Sequence, residues 1–316
     1  MAEQREIWVF SEKPALLAEL IAGAKTLGGR RVAAWVVGAR SSAAQALTQG
    51  ADRAAWLGDT GGERLVEDYV PTLAQQVQAG APAVLLIGST RRGRAVAGRL
   101  AARLDNTVLT DVLEFQSEGG DLLIRHMIFG GGAVRVEKAL AQPVIATVGS
   151  GVFAPLPPAA AAQGEMVEVP FVEPEWRARL IERKPRPPAA VNLAAARKVI
   201  CAGRGLARQE DLAMINELAR ALGAEVACTR PLAEGLNWLP RERYIGISGA
   251  TIKPDLYFGV GVSGQAQHII GMNRSKVVVA LNKDSSAPIF QQADYGVVGD
   301  LYAILPALVQ AIKARP

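Results

Sequence analysis

The stretch DLYFGVGVSGQAQHII, residues 255–270, decides the fold of this chain. It begins as one of the most apolar runs in the sequence, crosses a glycine-rich corner at 261–264 and continues with helical spacing. A buried strand that turns tightly into a helix is the repeating unit of parallel α/β sheets. His268, one of only two histidines in 316 residues, lies about one turn inside that helix. The stretch therefore predicts both a sheet topology and a place for a ligand.

The same alternation runs through residues 197–316. Helical spacing is found over 209–221, after Gly264 and over 301–313, and the apolar runs between these segments are KVICAG, AEVACT, DLYFGVGV, KVVVALN and YGVVG. Apolar runs without a polar face are typical of strands that are covered by helices on both sides. We predict a doubly wound, Rossmann-like domain over residues 197–316.

The first half of the chain alternates in the same way and then changes pattern. Strands are predicted at 6–10, 31–37, 53–57 and 83–88, and helices at 13–27, 42–48, 63–79 and 94–104. The run DVLEFQSEGGDLLIRHMIFGG, residues 111–131, alternates at period two around 118–120, which predicts a hairpin. PVIATV, residues 143–148, is a further strand. We predict an α/β domain over 1–153, with a mostly parallel sheet and an antiparallel hairpin edge.

Residues 154–196 differ in composition from both flanking regions. APLPPAAAAQG and RKPRPPAAV are rich in Pro and Ala and lack periodicity. They bracket one plausible strand, EMVEVPFVE. Such a composition is typical of an extended connection between domains.

Composition excludes several classes of protein. The N-terminus MAEQREIWVF lacks the apolar core of a signal peptide, and no uncharged run is long enough to span a bilayer. We therefore predict a soluble, cytoplasmic protein that is not embedded in a membrane. The formal charge of +5 comes from scattered residues and aromatics make up only 5% of the chain, so nucleic-acid binding is disfavoured.

A metal site is also disfavoured. Cys201 and Cys228 each lie in an apolar run, which is typical of reduced cysteines packed in a core. The two cysteines and two histidines are not clustered in any ligand spacing.

Polar or small residues follow each predicted strand of the second domain. Ligands of open parallel sheets bind beyond the carboxyl ends of the strands, so these residues are candidates for a site. They are Ala202-Gly203-Arg204-Gly205, Thr229-Arg230-Pro231, Ser263-Gly264-Gln265, Asn282-Lys283-Asp284 and Asp300.

The first of these strand ends is not a standard dinucleotide fingerprint. Gly203-x-Gly205 is followed by Arg208 where a third glycine is needed, and no acidic residue ends the second strand to bind a ribose. An NAD site is therefore disfavoured. The two glycines fit a tight βα turn, and Arg204 between them is free to reach an anion.

The corner at 261–264 is the strongest candidate for a diphosphate site. Its glycines permit close backbone approach, and the helix that follows points free N–H groups at the corner. His268 can then point over the same edge towards the rest of the ligand. Two simpler roles stay open nearby: Asp300 is a good N-cap, and Asn282 and Asp284 are common turn formers.

At these residues the second domain resembles the alpha subunit of electron transfer flavoproteins. The resemblance covers nearly all of 197–316 and is carried by AGRGL, CTRP, YIGISG, PDLYFGVGVSGQAQHIIGM, ALNKDSSAPIFQQADYGVVGDL and ILPAL. The first domain is similar more loosely to the FixB-type branch of these subunits, through WVFSEKP, STRRGR, DVLEF and HMIFGGG.

The resemblance implies an electron carrier, not an enzyme, that holds one FAD between an alpha and a beta subunit. It implies one-electron transfer between an acyl-CoA dehydrogenase-type donor and a quinone oxidoreductase or ferredoxin-type partner. Carried over by position, the FAD-binding residues are Arg204, Thr229, Arg230, Ile245, Gly246, Ile247, Ser248, Ser263, Gly264, Gln265, Ala266, Gln267, His268, Asn282, Asp300 and Leu301.

Within that set, the resemblance implies that Arg230 and His268 lie beside the isoalloxazine ring. A cation or hydrogen-bond donor there would stabilise the reduced flavin, because reduction adds negative charge to the ring. Two positions depart from the family pattern: Thr229 stands where Ser is usual, and Ile247 where many members have Gln. Both departures concern redox tuning.

Two other classes of function stay open from the residues alone. One is a nucleotide- or CoA-dependent enzyme with His268 as general base, although no paired acid or nucleophile accompanies it. The other is a structural partner whose cofactor site has decayed. His126 and the triplet Arg91, Arg92 and Arg94 lie outside the candidate site, and we interpret them as structural or subunit-contact residues.

Overall fold

A computed structural model of the chain describes residues 6–118, 121–129, 133–162, 164–178, 180–182 and 191–314. The chain divides into two compact units, one of residues 1–128 and 133–184 and one of residues 129–132 and 185–316. Each unit is built on its own sheet, of nine strands in the first and five in the second.

The first unit begins with four strand–helix repeats, as the alternation predicts. The elements of this part are β1 (Glu6–Phe10), α1 (Pro14–Thr26), β2 (Arg31–Val37), α2 (Arg40–Thr48), β3 (Arg53–Gly58), α3 (Val70–Gly80, after a 3-10 turn at Val66–Tyr69), β4 (Val84–Gly88) and α4 (Arg91–Arg103). Five strands follow: β5 (Val108–Glu118), β6 (Asp121–Ile128), β7 (Ala133–Lys138), β8 (Val144–Val148) and β9 (Glu165–Glu168).

The nine strands are ordered β7-β6-β5-β8-β4-β1-β2-β3-β9. All neighbours are parallel except β5–β6 and β6–β7, so the mostly parallel sheet with an antiparallel edge is confirmed. The predicted hairpin turn at 119–120 lies outside the described residues. The structure adds β7, whose residues are nearly all exposed, so that no buried apolar face marks this strand in the sequence.

The region predicted as a separate connection, 154–196, is divided differently in the structure. Its plausible strand is shorter than EMVEVPFVE and forms β9, which pairs in parallel with β3 from Arg53–Glu165 to Trp56–Glu168. Residues 154–184 accordingly belong to the first unit. The Pro-rich segment 183–190 lies outside the described residues.

Two apolar layers cover the first sheet. One contains Leu17 and Leu20 of α1 together with strand residues such as Val9 and Leu86. The other contains Leu73 of α3 and Leu100 of α4 with strand residues from the opposite side. The alternating orientation of strand side chains supplies both layers from the same strands.

The second unit is a five-stranded parallel sheet. Its elements are β10 (Lys198–Ala202), α5 (Leu212–Leu222), β11 (Glu225–Cys228), β12 (Leu256–Val260), α6 (Ala266–Met272), β13 (Val277–Asn282), β14 (Tyr295–Val298) and α7 (Leu301–Lys313). Short helical turns lie at Leu193–Ala195, Gln209–Asp211, Pro231–Gly235, Arg241–Arg243 and Pro288–Gln291.

The strands lie in the order β11-β10-β12-β13-β14. The chain runs outward from β10 to β11, returns to β12 on the other side of β10 and continues outward to β14, so the winding reverses between β10 and β12. Chains with this topology bind ligands where the order reverses, because the loops after the two central strands diverge to opposite faces. The doubly wound prediction is confirmed, but the two faces differ. Helices α5 and α7 pack on one face, whereas the other is covered by the short α6 and irregular loops that include Ile245 and Ile252.

No helix in the described part of the chain is long and apolar enough to cross a membrane.

Candidate functional site

The five strand ends of the second unit are joined along one edge by backbone hydrogen bonds. These run from Thr229 N to Ala202 O (3.0 Å), Gly203 N to Val260 O (2.9 Å), Gly261 N to Leu281 O (2.8 Å) and Gly299 N to Asn282 O (3.0 Å). The order of these bonds follows the order of the strands. The sequence-predicted strand ends therefore do share one edge of the sheet.

Glycines allow the two loops at the reversal point to touch through their backbones. A Cβ on Gly205 would lie 2.6 Å from Gly261 Cα, and a Cβ on Gly203 would lie 2.7 Å from Val262 Cα. Gly261 has φ +64°, in the left-handed region that favours glycine. The Gly203-x-Gly205 pattern therefore serves loop packing at the edge where a ligand would bind.

The corner after β12 offers backbone donors. In the part of the chain that the structure describes, the N–H groups of residues 263–267 donate to no acceptor. Gly264 has φ +82°, and a Cβ there would lie 2.5 Å from Ile289 Cα, so the corner is packed against the turn at 288–291. Helix α6 has only seven residues, so its dipole is small. The backbone N–H groups would therefore contribute more than the dipole to binding an anion at this corner.

Thr229 carries a buried polar atom on the same edge. Its Oγ1 is buried and makes no hydrogen bond within the described residues. A buried hydroxyl without a partner costs free energy, of the order of 1–3 kcal/mol, unless a ligand or water satisfies it. Thr229 directly follows β11, so this hydroxyl lies on the edge that carries the other candidate residues.

Two arginines of the edge differ in their surroundings. Arg204 is exposed, and it forms no ion pair with any residue that the structure describes. Arg230 is also exposed, but its Nε donates to Glu234 Oε2 at 2.7 Å, and Arg241 Nε lies 3.0 Å from the other carboxylate oxygen. The Glu234 carboxylate raises the pKa of Arg230 above its ordinary value. One carboxylate therefore holds two guanidinium groups beside the end of β11.

The loop YIGISG, residues 244–249, is tied to its neighbours at several points. Ile245 N donates to Cys228 O at 3.0 Å, and Ile247 N donates to Gln267 O at 2.8 Å. Ile245 and Gly246 are buried, whereas Ile247 and Ser248 are exposed at the tip. The loop is therefore anchored to β11 on one side and to α6 on the other.

His268 does not lie as expected. The prediction placed its imidazole over the edge, pointing towards the rest of the ligand. In the structure the ring is buried, with Nε2 2.7 Å from the Tyr257 hydroxyl and Nδ1 3.0 Å from Ile245 O. Burial lowers the pKa of His268 to about 4. The physical reason is that a buried imidazole without a charged partner is held neutral and must satisfy both nitrogens locally.

This environment also bears on the reading of His268 as a general base. A base needs a nitrogen within reach of the substrate proton and a pKa close to working pH. The imidazole here meets neither condition.

The residues expected on the adenosine side have structural partners. Asn282 Nδ2 donates to Val262 O at 2.8 Å, and Asp284 N donates to Asn282 Oδ1 at 3.0 Å. Asp300 caps α7 by accepting from Tyr302 N at 2.9 Å, and Leu301 is buried. The simpler roles of Asn282 and Asp300 as turn former and N-cap are therefore real, and both residues still lie on the common edge.

Four residues outside this edge also have defined surroundings. Arg92 Nη1 lies 2.9 Å from both carboxylate oxygens of the buried Glu67. Arg91 and Arg94 are exposed. His126 bridges three strands, with Nδ1 3.1 Å from Thr110 O and Nε2 3.0 Å from a Glu137 oxygen.

Sequence reasoning missed two functional candidates, Tyr257 and Glu234, which contact the predicted site residues His268 and Arg230. For Glu234 the signal was available, because Arg230 and Glu234 have the i,i+4 spacing of a helical ion pair. For Tyr257 there was none, since it lies in an otherwise apolar strand.

The edge fits FAD, the cofactor that the resemblance implies. It combines an unpartnered buried hydroxyl at Thr229, free backbone donors at 263–267, loops kept close by glycine, and two exposed guanidinium groups. Hydroxyl and backbone donors suit the polar edge of a flavin and its diphosphate, and the cations suit its negative charge. Within the described chain no group of His, Cys, Asp and Glu could hold a metal ion.

Comparison with known proteins identifies the family. Residues 13–174 match the electron transfer flavoprotein domain, and residues 192–273 match the electron transfer flavoprotein FAD-binding domain. The chain is 39% identical over 314 residues to a protein of Escherichia coli strain K12 named as electron transfer flavoprotein subunit YdiR, covering 99% of this chain and 100% of the relative.

Two FixB proteins are similar to the same degree. Those of Escherichia coli O7:K1 and of Shigella flexneri are each 39% identical over 308 residues, covering 97% of this chain and 98% of the relative. The chain belongs to the electron transfer flavoprotein family, in the alpha-type branch that includes FixB, and its cofactor is FAD.

Proposed function

We propose that this chain is the FAD-carrying alpha subunit of a heterodimer that passes electrons one at a time between protein partners. Its companion would be an electron transfer flavoprotein beta subunit. The electron donor would be an acyl-CoA dehydrogenase-type enzyme, and the acceptor a quinone oxidoreductase or a ferredoxin-type protein. In this proposal the chain has no small-molecule substrate of its own.

The unpartnered Thr229 hydroxyl at the edge of the second sheet is the observation that carries the proposal. It lies at the end of β11 with no hydrogen-bond partner among the described residues. Thr229 and the loop at 244–249 would hold the ring, the 263–267 donors and Arg204 the diphosphate, and the 282 and 300–301 region the adenosine. FAD supplies one-electron redox chemistry when bound.

Arg230 would supply the electrostatic bias of the site. Its guanidinium stays protonated at any relevant pH, so it can stabilise added negative charge nearby. The neutral, buried His268 adds no charge of its own, and we propose that it acts through the loop it supports.

The test is co-expression with the beta subunit, followed by the visible spectrum and flavin content of the purified heterodimer. We expect one FAD in the site of this chain. Thr229→Val removes the hydroxyl at nearly constant volume and should weaken FAD binding, while Thr229→Ser keeps the hydroxyl and should retain it. A heterodimer that stays colourless after addition of FAD would overturn the proposal.

A further inference from the structure

A line of buried polar groups runs beneath the flavin-side loop 244–249. The His268 imidazole lies between the Tyr257 hydroxyl, 2.7 Å from Nε2, and the Ile245 carbonyl oxygen, 3.0 Å from Nδ1. Cys201 Sγ is 3.9 Å from Nε2. Tyr257, Cys201 and His268 come from β12, β10 and α6, so the line connects the centre of the sheet to the loop.

Hydrogen-bond chemistry determines where the protons lie. A carbonyl oxygen only accepts, so Nδ1 must carry the proton that it donates to Ile245 O. In a neutral imidazole Nε2 is then an acceptor, and the Tyr257 hydroxyl must donate to it. Burial lowers the pKa of His268 and raises that of Tyr257, which keeps both groups neutral and agrees with this assignment.

The strand is built to make room for this pair. Tyr257 is fully buried on β12, and Gly259 follows it on the same side of the strand. A Cβ on Gly259 would lie 3.1 Å from Tyr257 Cε1 and 3.2 Å from its hydroxyl oxygen. Glycine in a strand interior is otherwise unfavourable, and here it leaves the space that the tyrosine ring occupies.

The loop depends on this line for one of its few attachments to α6. The other is the hydrogen bond from Ile247 N to Gln267 O at 2.8 Å. Between these two attachments lies Gly246, and the exposed Ile247 and Ser248 follow. A loop with two hydrogen-bonded attachments to α6 will loosen on that side if either of them is lost.

We propose that Tyr257 is a positioning residue of the FAD site: its hydroxyl fixes His268 as the neutral Nδ1–H tautomer, and that Nδ1–H holds the Ile245 carbonyl and the loop 244–249 in place. The functional consequence rests on the proposed function, because the loop is then the support of the flavin ring. The tautomer and the loop attachment do not depend on it.

The tautomer is tested by nitrogen NMR of the heterodimer in which only this chain carries ¹⁵N-histidine. The chain has two histidines, so in the His126→Gln variant the only histidine signals are those of His268. We expect a protonated Nδ1 and an unprotonated Nε2 at both pH 7.5 and pH 5.5. A protonated Nε2, or a doubly protonated ring at pH 5.5, would overturn the proposal.

Tyr257→Phe tests the positioning role, with Tyr295→Phe as a matched control because that tyrosine is exposed on β14. In Tyr257→Phe the ¹⁵N chemical shift of His268 Nε2 should move towards the value of an imidazole nitrogen that accepts no hydrogen bond. Amide hydrogen exchange of 244–249 should rise by roughly threefold to tenfold, as expected for the loss of one hydrogen bond. The control should change neither.

Exchange of the loop at the wild-type rate in Tyr257→Phe would contradict the positioning role. The rate of FAD release is the second readout and should increase in the same variant. If the wild-type heterodimer bound no FAD, the proposed function would fail, while the NMR and hydrogen-exchange measurements would still decide this inference.

Discussion

His268 shows how strongly the surroundings of one residue decide its chemistry. A histidine after a glycine-rich corner suggests a ligand contact, but here the ring is buried and both nitrogens are occupied. Its contribution to function would pass through the loop that it holds.

The lowered pKa of His268 predicts a pH-dependent stability. The folded value is about 4 and the ordinary value is 6.5. Between these values the unfolded chain binds more protons than the folded chain, so stability falls as pH decreases through that window, by up to about 1.4 kcal/mol per unit. Denaturant unfolding at pH 7 and pH 4.5 measures the fall. His268→Gln should reduce it and His126→Gln should preserve it; an equal fall in wild type and His268→Gln would contradict this assignment.

Arg230 and Glu234 should act on the flavin potential in opposite directions. Arg230→Gln removes a positive charge and should lower the potential, whereas Glu234→Gln removes the carboxylate that lies 2.7 Å from Arg230 Nε and should raise it. A tenfold change in a one-electron equilibrium corresponds to about 59 mV, and we expect shifts of that order. Potentiometric titration of the heterodimer measures both. Arg220→Gln, on the exposed side of α5, should leave the potential unchanged, and equal potentials in all variants would refute the electrostatic role.

At the scale of elements, the site depends on how closely the loops after β10 and β12 approach each other. Gly203, Gly205 and Gly261 permit this contact because each lacks the Cβ that would collide with the facing backbone. The loops are joined by a hydrogen bond from Gly205 N to Gly261 O at 3.0 Å. The contact between these two loops therefore sets the geometry of the site.

Gly203→Ala should disturb this contact and weaken FAD binding. Its Cβ would lie 2.7 Å from Val262 Cα and even closer to Gly261, where backbone cannot yield cheaply. Gly98→Ala is the matched control: it lies inside α4 with nothing within 4 Å of an added Cβ, so it should stabilise the first unit by up to about 1 kcal/mol. Flavin retention and thermal unfolding measure both. Unchanged FAD affinity in Gly203→Ala would contradict the prediction that FAD binding depends on the contact between these loops.

At the scale of the whole molecule, the two units have separate cores. Leu86 and Ile200 are both fully buried, the first in the nine-stranded sheet and the second in the five-stranded sheet. Leu86→Ala and Ile200→Ala should each cost about 2–5 kcal/mol of the unit's stability.

Only Ile200→Ala should lower the affinity for FAD, because the edge that would bind it is built on the second sheet. Flavin fluorescence during thermal unfolding, alongside circular dichroism, separates the two transitions. An equal loss of FAD from Leu86→Ala would contradict a site confined to the second unit.

Much of the architecture could be predicted because its signals are local. The strand and helix alternation, the hairpin around 118–120 and the polar strand ends all follow from the periodicity and from turn residues within short windows. The family motifs add the cofactor, because CTRP and SGQAQH lie at these strand ends and YIGISG forms the loop that is hydrogen-bonded to the end of β11. The strand β7 was missed, since its residues are nearly all exposed, and β9 was predicted as a strand but is shorter than the apolar run indicated.

The sequence by itself determined the parallel sheets, their helices and the residues at the carboxyl ends of the strands, because hydrophobic spacing is a property of neighbouring residues. Only the tertiary structure decided the pairing of β9 with β3, the unsatisfied hydroxyl of Thr229 and the burial of His268 between Tyr257 and Ile245. Those outcomes depend on contacts between residues far apart in the chain, where the competition between burial and hydrogen bonding chooses each side chain's partner.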